Sequence, residues 1–163
     1  MYSSRHGTTA RVARLLSEKI QAEQVYLSEI KLVDPTRLKD IDAIVIGGSI
    51  HFGLIQKDVR NFCTENLSML LQKKIALFLC CMQEEVQTEQ LNAAFPQELR
   101  NHSLATVVCG GEFLIDKMTF LEKQVVRAVS GVKRNTSALN YTAIAEFNLK
   151  INSALIEKET KGL

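Results

Sequence analysis

The chain alternates stretches whose apolar residues recur at helical spacing with short, almost continuously apolar runs. In residues 9–22, Val12, Leu15, Leu16 and Ile20 fall on one side and charged residues on the other, which predicts an amphipathic helix. The same spacing predicts further helices over 59–70, 87–99, 118–129 and 141–158. Because proline disrupts a helix interior, the helix over 87–99 is expected to begin, kink or end at Pro96.

Three apolar runs predict buried strands. Residues 41–50 read I-D-A-I-V-I-G-G-S-I, a β-branched run that ends in glycines, as is typical of a strand covered on both faces of a parallel sheet. The runs at 74–82 and 104–109 have the same character, and a short β-favouring stretch lies at 24–27. Strands that alternate with helices predict an α/β fold, an open parallel sheet with helices on both faces. The length favours one domain over 1–163.

Composition narrows the class of protein. With 46% apolar and 23% charged residues the chain has ordinary globular values, and a net charge of +2 is too small to indicate a nucleic-acid surface. No apolar run reaches the ~20 residues that span a bilayer, and no signal peptide is apparent, so a cytoplasmic location is expected. The four cysteines lack C-x-x-C spacing, no metal site is predicted, and Cys80 and Cys81 are expected to be buried as small hydrophobic residues.

Ligands of open parallel sheets bind beyond the carboxyl ends of the strands. The loops at these ends are therefore the candidate sites, and they comprise residues 3–9, 47–53, 81–83 and 110–113. The first loop combines four hydroxyl residues with Gly7 directly before a helix, which favours a bound phosphate. In the alternative interpretation, Thr8 or Thr9 merely caps that helix.

The second loop carries His51 and Phe52, an aromatic pair that could stack on a flat ligand. Neither a Walker A motif nor G-x-G-x-x-G occurs in the chain. Binding of ATP or of a Rossmann-type dinucleotide is therefore disfavoured.

The first loop also carries a family resemblance. The run from Ser4 to Thr9, S-R-H-G-T-T, resembles the FMN-phosphate loop of flavodoxins, Ser/Thr-x-Thr-Gly-x-Thr, with His6 at the middle threonine. Residues 42–53 resemble the third strand and flavin-ring loop of menaquinone-dependent protoporphyrinogen IX dehydrogenases, and 110–123 are similar to the segment after their last strand. The resemblance implies a flavodoxin-like sheet with strand order 2-1-3-4-5. Because the chain starts at Met1-Tyr2, where such proteins have an apolar strand, the first strand is expected to be truncated.

The resemblance implies FMN as the cofactor and an oxidoreductase function in haem biosynthesis, in which hydrogen passes from protoporphyrinogen IX, a flat substrate, through FMN to a quinone acceptor. No catalytic residue is assigned, although His51 could bias flavin protonation. The residues expected to bind the cofactor are Ser4, Arg5, His6, Gly7, Thr8 and Thr9 at the phosphate, Ser49, Ile50, His51, Phe52 and Gly53 at one side of the ring, and Cys81, Met82 and Gly110 at the next two strand ends.

Two questions stay open from the sequence. Residues 113–134 mix apolar and basic side chains, which fits either peripheral contact with a membrane or a helix that faces the core. The function could instead be that of a flavodoxin-type electron carrier, which the net charge of +2 disfavours, or of an interaction module without flavin.

Overall fold

The computed structural model describes residues 1–160 and has the predicted α/β architecture, so residues 161–163 of the expected domain lie outside the described residues. The helices are α1 Thr8–Ser17, α2 Lys57–Glu65, α3 Leu67–Leu70, α4 Gln87–Ala94, α5 Gln97–His102, α6 Phe120–Ser130 and α7 Tyr141–Thr160. The strands are β1 Ala43–His51, β2 Leu54–Ile55, β3 Lys74–Cys80, β4 Ala105–Val108, β5 Glu112–Phe113 and β6 Thr136–Ser137. Short 3₁₀ turns lie at Ile30–Leu32, Pro35–Asp40, Glu84–Val86 and Ile115–Lys117.

The main sheet has the order β2-β1-β3-β4. Strand β1 runs parallel to β3, and β3 runs parallel to β4, whereas β2 folds back antiparallel onto the end of β1. Tyr2 extends the sheet beyond β1, because it forms parallel bridges to Gly47 of β1 and to Glu29 on its other side. From one edge to the other, the chain segments follow in the order Glu29, Tyr2, β1, β3 and β4. This is the expected order 2-1-3-4-5, in which Glu29 takes the place of the second strand and Tyr2 that of the first.

The core lies on both faces of the sheet. In β3, Ile75, Leu77 and Leu79 pack on one face with residues of α2 and α5, while Ala76, Phe78 and Cys80 pack on the other with residues of α1 and α7. Successive strand residues point to opposite faces, so an unbroken apolar run is what a doubly covered strand requires. The helices therefore cover both faces of the sheet, as expected.

Several predicted elements differ in extent. Helix α1 ends at Ser17 instead of continuing to 22, because Asn152 of α7 bonds both Lys19 O and Gln21 N and holds the chain in a different direction. The predicted helix 59–70 is interrupted at Asn66, and the helix around Pro96 is divided there into α4 and α5, as expected.

The β-favouring stretch 24–27 does not form a strand. These residues have no ladder partner, since the neighbouring pairing is limited to the bridge between Tyr2 and Glu29. Val25, Tyr26 and Leu27 are exposed as a result. The glycines Gly47 and Gly48 lie inside β1 and do not end it. Both positions require glycine for packing, because the Phe78 ring and the Gln56 side chain occupy the space where their Cβ atoms would lie.

The four cysteines are buried and unpaired, and burial raises the pKa of Cys63 and of Cys80 to about 12. The expectation that Cys80 and Cys81 behave as small hydrophobic residues is confirmed. Within residues 1–160, none of the helices combines the length and apolar character needed to cross a bilayer.

Candidate functional site

The carboxyl ends of the parallel strands form one row at the edge of the sheet. Ser3 N donates to Gly47 O (3.1 Å), and in the ladder Ser49 lies beside Cys80 and Leu79 beside Val108. The first loop leaves the sheet just after Ser3, and the loops that follow β1, β3 and β4 start at the same edge. The fold therefore brings the four predicted loops to a common edge.

The first loop ends in a helix start that no side chain caps. The residue before α1 is Gly7, with φ +107°, and none of the side chains caps the helix there. Ser4 Oγ accepts a hydrogen bond from Gly7 N (3.1 Å) and shapes the turn. The first N–H groups of a helix have no intrahelical partner, so those of α1 are available to an anion. The interpretation that Thr8 or Thr9 is merely a cap is therefore wrong.

The threonines of the loop point away from its surface. Thr8 and Thr9 are both buried, and the Thr9 side chain lies near the Cys80 thiol. In Thr8 and Thr9, both predicted to bind the phosphate, the backbone N–H groups are thus better placed as donors than the hydroxyls.

Three cationic or ionisable side chains surround the loop. Arg5 and His6 belong to it, and Lys117 reaches it from the segment before α6, with Nζ 3.3 Å from the position that a Cβ on Gly7 would take. Glu122 of α6 opposes them: its Oε1 lies 2.9 Å from Arg5 Nε and 3.4 Å from His6 Nε2. Arg5 and His6 of the loop thus face the buried carboxylate of Glu122.

Glu122 is held by the start of its own helix. Thr119 N and Oγ1 donate to Glu122 Oε2 at 2.8 and 2.9 Å, which completes a capping box. Burial acts to raise the pKa of Glu122, but the bonds from Thr119 and the charges of His6 and Arg5 outweigh it and lower that pKa to about 2. The carboxylate is therefore ionised at neutral pH and connects α6 to the first loop.

The second predicted loop is a tight hairpin. Phe52 and Gly53, with φ +51° and +78°, form the two-residue turn between β1 and β2, as expected of a turn with positive φ at both central positions. The Phe52 side chain is 70% exposed at the tip of the turn. An exposed aromatic ring at the edge that carries the first loop is available to a flat ligand.

His51 joins the hairpin to the first loop. Its ring lies edge-on to the His6 ring, with centroids 5.4 Å apart, and its Nε2 is 3.3 Å from Ser49 Oγ. Partial burial, followed by the charges of His6 and Arg5, lowers the pKa of His51. His51 is therefore directed toward the neutral form, in which one ring nitrogen can accept a proton.

A glutamine fixes the two loops relative to each other. Gln56 Oε1 accepts from Ser49 N (2.8 Å), while its Nε2 donates to Ser49 Oγ (2.7 Å) and to Ser3 O (3.3 Å). Ser3 Oγ donates to Asp58 Oδ2 (2.7 Å) in α2. The start of α2 thus holds both loops in place.

The third and fourth loops are more covered by the chain itself. Cys81 is 4% exposed and its N–H donates to Gly110 O (2.9 Å). Gly110 has φ +69°, and a Cβ there would lie 1.9 Å from Ala138 O, so this glycine is required for close backbone packing. Three residues of these loops are predicted to bind the cofactor, Cys81, Met82 and Gly110, and of these Met82 alone is partly exposed.

Comparison with known proteins gives this geometry a family. A sequence profile of the flavodoxin domain matches residues 1–139. The chain belongs to the flavodoxin domain family. Flavodoxin domains bind FMN, and the match spans all four loops of the site. No curated protein sequence matches the chain significantly.

Among solved structures, the flavodoxin domain is similar to rubredoxin oxygen:oxidoreductase from the anaerobe Desulfovibrio gigas, with a TM-score of 0.52 and 17% identity. The similarity covers 92% of this chain and 35% of that protein, so the chain spans about a third of its length. At this identity the likeness supports the fold, which agrees with the sheet described above.

Four residues of the candidate site are not predicted from the sequence: Gln56, Asp58, Lys117 and Glu122. Glu122 had a local signal, because Thr119-x-x-Glu122 is a capping-box motif. The other three residues had no local signal, since each contacts or lies near a residue from another part of the chain. Gln56 bonds Ser49, Asp58 bonds Ser3, and Lys117 lies near Gly7.

Proposed function

We propose that this flavodoxin domain binds FMN and acts as an oxidoreductase. The observation that carries the proposal is the uncapped start of α1 at Gly7, surrounded by Arg5, His6 and Lys117. Free helix N–H groups together with cationic side chains form a site for a phosphate monoester. The family match supplies the reason to prefer FMN among such ligands.

The residues of the site fit this cofactor in two parts. The N–H groups at the start of α1 would hold the phosphate, with Arg5 and Lys117 offsetting its charge. Phe52, exposed on the β1–β2 turn, would cover one face of the ring. When bound, FMN supplies the capacity to accept hydrogen from one substrate and to reduce another.

His51 is the residue placed to handle a proton at this edge. Its lowered pKa keeps it neutral at physiological pH, and Ser49 and His6 fix its position. We therefore assign His51 to accept a proton beside the flavin ring. We assign substrate contact to the outer face of the Phe52 side chain, which is open to solvent.

The finer proposal concerns the substrates. The resemblance of residues 42–53 and 110–123 to protoporphyrinogen IX dehydrogenases supports protoporphyrinogen IX as the hydrogen donor and a quinone as the acceptor. An exposed aromatic side chain suits a flat tetrapyrrole. The net charge of +2 gives no acidic excess of the kind that steers electron carriers to basic partners, so turnover is proposed in preference to carriage alone.

The test separates binding from turnover. Titration of FMN should quench its fluorescence, and riboflavin, which lacks the phosphate, should bind at least ~10-fold more weakly because charge-assisted bonds are lost. Gly7→Ala, at φ +107°, should weaken FMN binding. Gly131→Ala is the matched control, because Gly131 also has positive φ but lies at the end of α6 and away from the loop.

Equal binding of FMN and riboflavin would contradict the phosphate assignment, and absence of flavin binding would favour the interaction module. Anaerobic incubation of the FMN-loaded protein with protoporphyrinogen IX and a menaquinone analogue should then produce fluorescent protoporphyrin faster than a protein-free control. Flavin binding without this product would retain the flavoprotein and reject the substrate.

A further inference from the structure

Helix α6 presents its apolar side to solvent. Leu121, Val125, Ala128 and Val129 recur at the i, i+4, i+7, i+8 spacing that in a globular protein faces the core. Here the four are exposed, Leu121 by 75% and Val129 by 69%, and Phe120 at the helix start is exposed too. The expectation of a core-facing helix is therefore not met over α6.

The side of α6 that faces the protein carries Glu122 and, one turn later, the half-buried Val126. Glu122 is the buried residue of this helix. Its carboxylate bonds Thr119 and pairs with Arg5 and His6 of the first loop. The helix is thus attached to the domain through a charged group and leaves its apolar side free of contacts that would bury it.

The segment that contains α6 carries a larger positive charge than the whole chain. Residues 117–134 contain five basic side chains and one acidic side chain, Glu122, a net charge of +4, so the rest of the chain sums to −2 against the total of +2. Because Glu122 is buried and paired, the surface shows the cations. These are Lys123, Arg127, Lys133 and Arg134, whereas Lys117 lies against Gly7 of the first loop.

We propose that α6 is a membrane-surface helix that docks on anionic lipid. A helix with an exposed apolar stripe and with Lys and Arg on its polar side lies in the interface of a bilayer, with its apolar side in the headgroup boundary and its cations attracted to anionic lipid. A second copy of the chain is disfavoured as the occupant, because two faces of charge +4 repel each other. The side chains that enter the lipid headgroup region are those of Leu121, Val125 and Val129. On another side of the helix, Glu122 attaches α6 to the first loop through Arg5 and His6.

Vesicle sedimentation tests the proposal with the full chain. The protein should sediment with vesicles that contain phosphatidylglycerol and stay in the supernatant with phosphatidylcholine alone. Leu121→Ser with Val129→Ser should abolish sedimentation. Lys123→Gln with Arg127→Gln should weaken it roughly 30-fold, about fivefold for each cation. Leu149→Ser, at an equally apolar residue of α7 that is 66% exposed, is the matched control and should bind like the parent protein.

Each other outcome overturns the proposal. Circular dichroism and the melting temperature should be unchanged in the variants, because the substituted side chains lie mainly outside the core. Failure of the parent protein to bind anionic vesicles, or equal binding by the Leu121 and Val129 variant, rejects lipid as the occupant. Gel filtration that shows a dimer lost in that variant assigns the face to a second copy instead. Lipid binding needs no flavin, so its failure is distinguishable from failure of the proposed function.

Discussion

Replacement of Glu122 by glutamine should destabilise the protein in a pH-dependent way. The side chain is 9% exposed, and its carboxylate faces Arg5 and His6. Glutamine is also accepted at this position of a capping box. Glu122→Gln therefore removes the negative charge while retaining a partner for Thr119.

The magnitude follows from the lowered pKa. A fall from 4.5 to about 2 corresponds to about 3 kcal/mol of stabilisation at neutral pH. Because the Arg5 side chain is 54% exposed, water and salt weaken its share of that interaction. We expect Glu122→Gln to lower the free energy of unfolding by about 1–2 kcal/mol at pH 7.

The direction of the pH effect is fixed by the sign of the shift. A carboxylate whose pKa is lowered in the folded state stabilises it above the unfolded pKa of 4.5, and this stabilisation is lost as pH falls toward about 2. Urea unfolding of both proteins at pH 7, 5 and 3 should give the same difference at the first two values and less than about half of it at the third.

The control is Glu146→Gln, at an exposed residue of α7. It should change the free energy of unfolding by less than ~0.5 kcal/mol, as is usual for surface positions. A Glu122→Gln protein as stable as its parent at pH 7, or a difference that does not change between pH 5 and pH 3, would refute the electrostatic account of this contact.

Two further predictions concern the loops. Gly110→Ala should lower the free energy of unfolding in urea by about 3–5 kcal/mol, because it adds a clash with Ala138 O to the strain of positive φ. Gly131→Ala is the control, because Gly131 has the same φ of +69° and open space around it; it should lower the free energy of unfolding by only about 1–2 kcal/mol. Lys117→Gln should raise the Kd for FMN roughly fivefold, about 1 kcal/mol, and leave the Kd for riboflavin unchanged. Lys133→Gln is the control and should alter neither Kd. An equal loss of riboflavin binding in Lys117→Gln would show that Lys117 shapes the loop instead of contacting phosphate.

The parts of the fold that depend on local pattern could be predicted. The strands β1 and β3 and the break at Pro96 follow from β-branched runs and from the missing N–H of proline. The two-residue strands β5 and β6 could not, because pairing with a distant segment alone defines them, and the two residues of β2 are too few to show a strand pattern. The stretch 24–27 shows the opposite failure, since β propensity without a neighbouring strand does not form a ladder.

The site shows the same division. Gly7 and the start of α1 were recognisable from the sequence, because a glycine before a helix is a local signal. Gln56 was not, since its bonds reach Ser3, 53 residues away, and Ser49. Helix α6 had the expected spacing, yet spacing cannot tell which way an apolar stripe faces; that depends on the buried Glu122.

The buried thiols have a practical consequence for a protein assigned to redox chemistry. Thiolates react with oxidants and alkylating reagents, whereas protonated, enclosed thiols do so poorly. With the pKa of Cys63 and Cys80 near 12, the folded protein offers almost no thiolate at neutral pH. Labelling of these cysteines by an alkylating reagent therefore requires the structure to open, and its rate reports how often each face of the sheet becomes accessible to solvent.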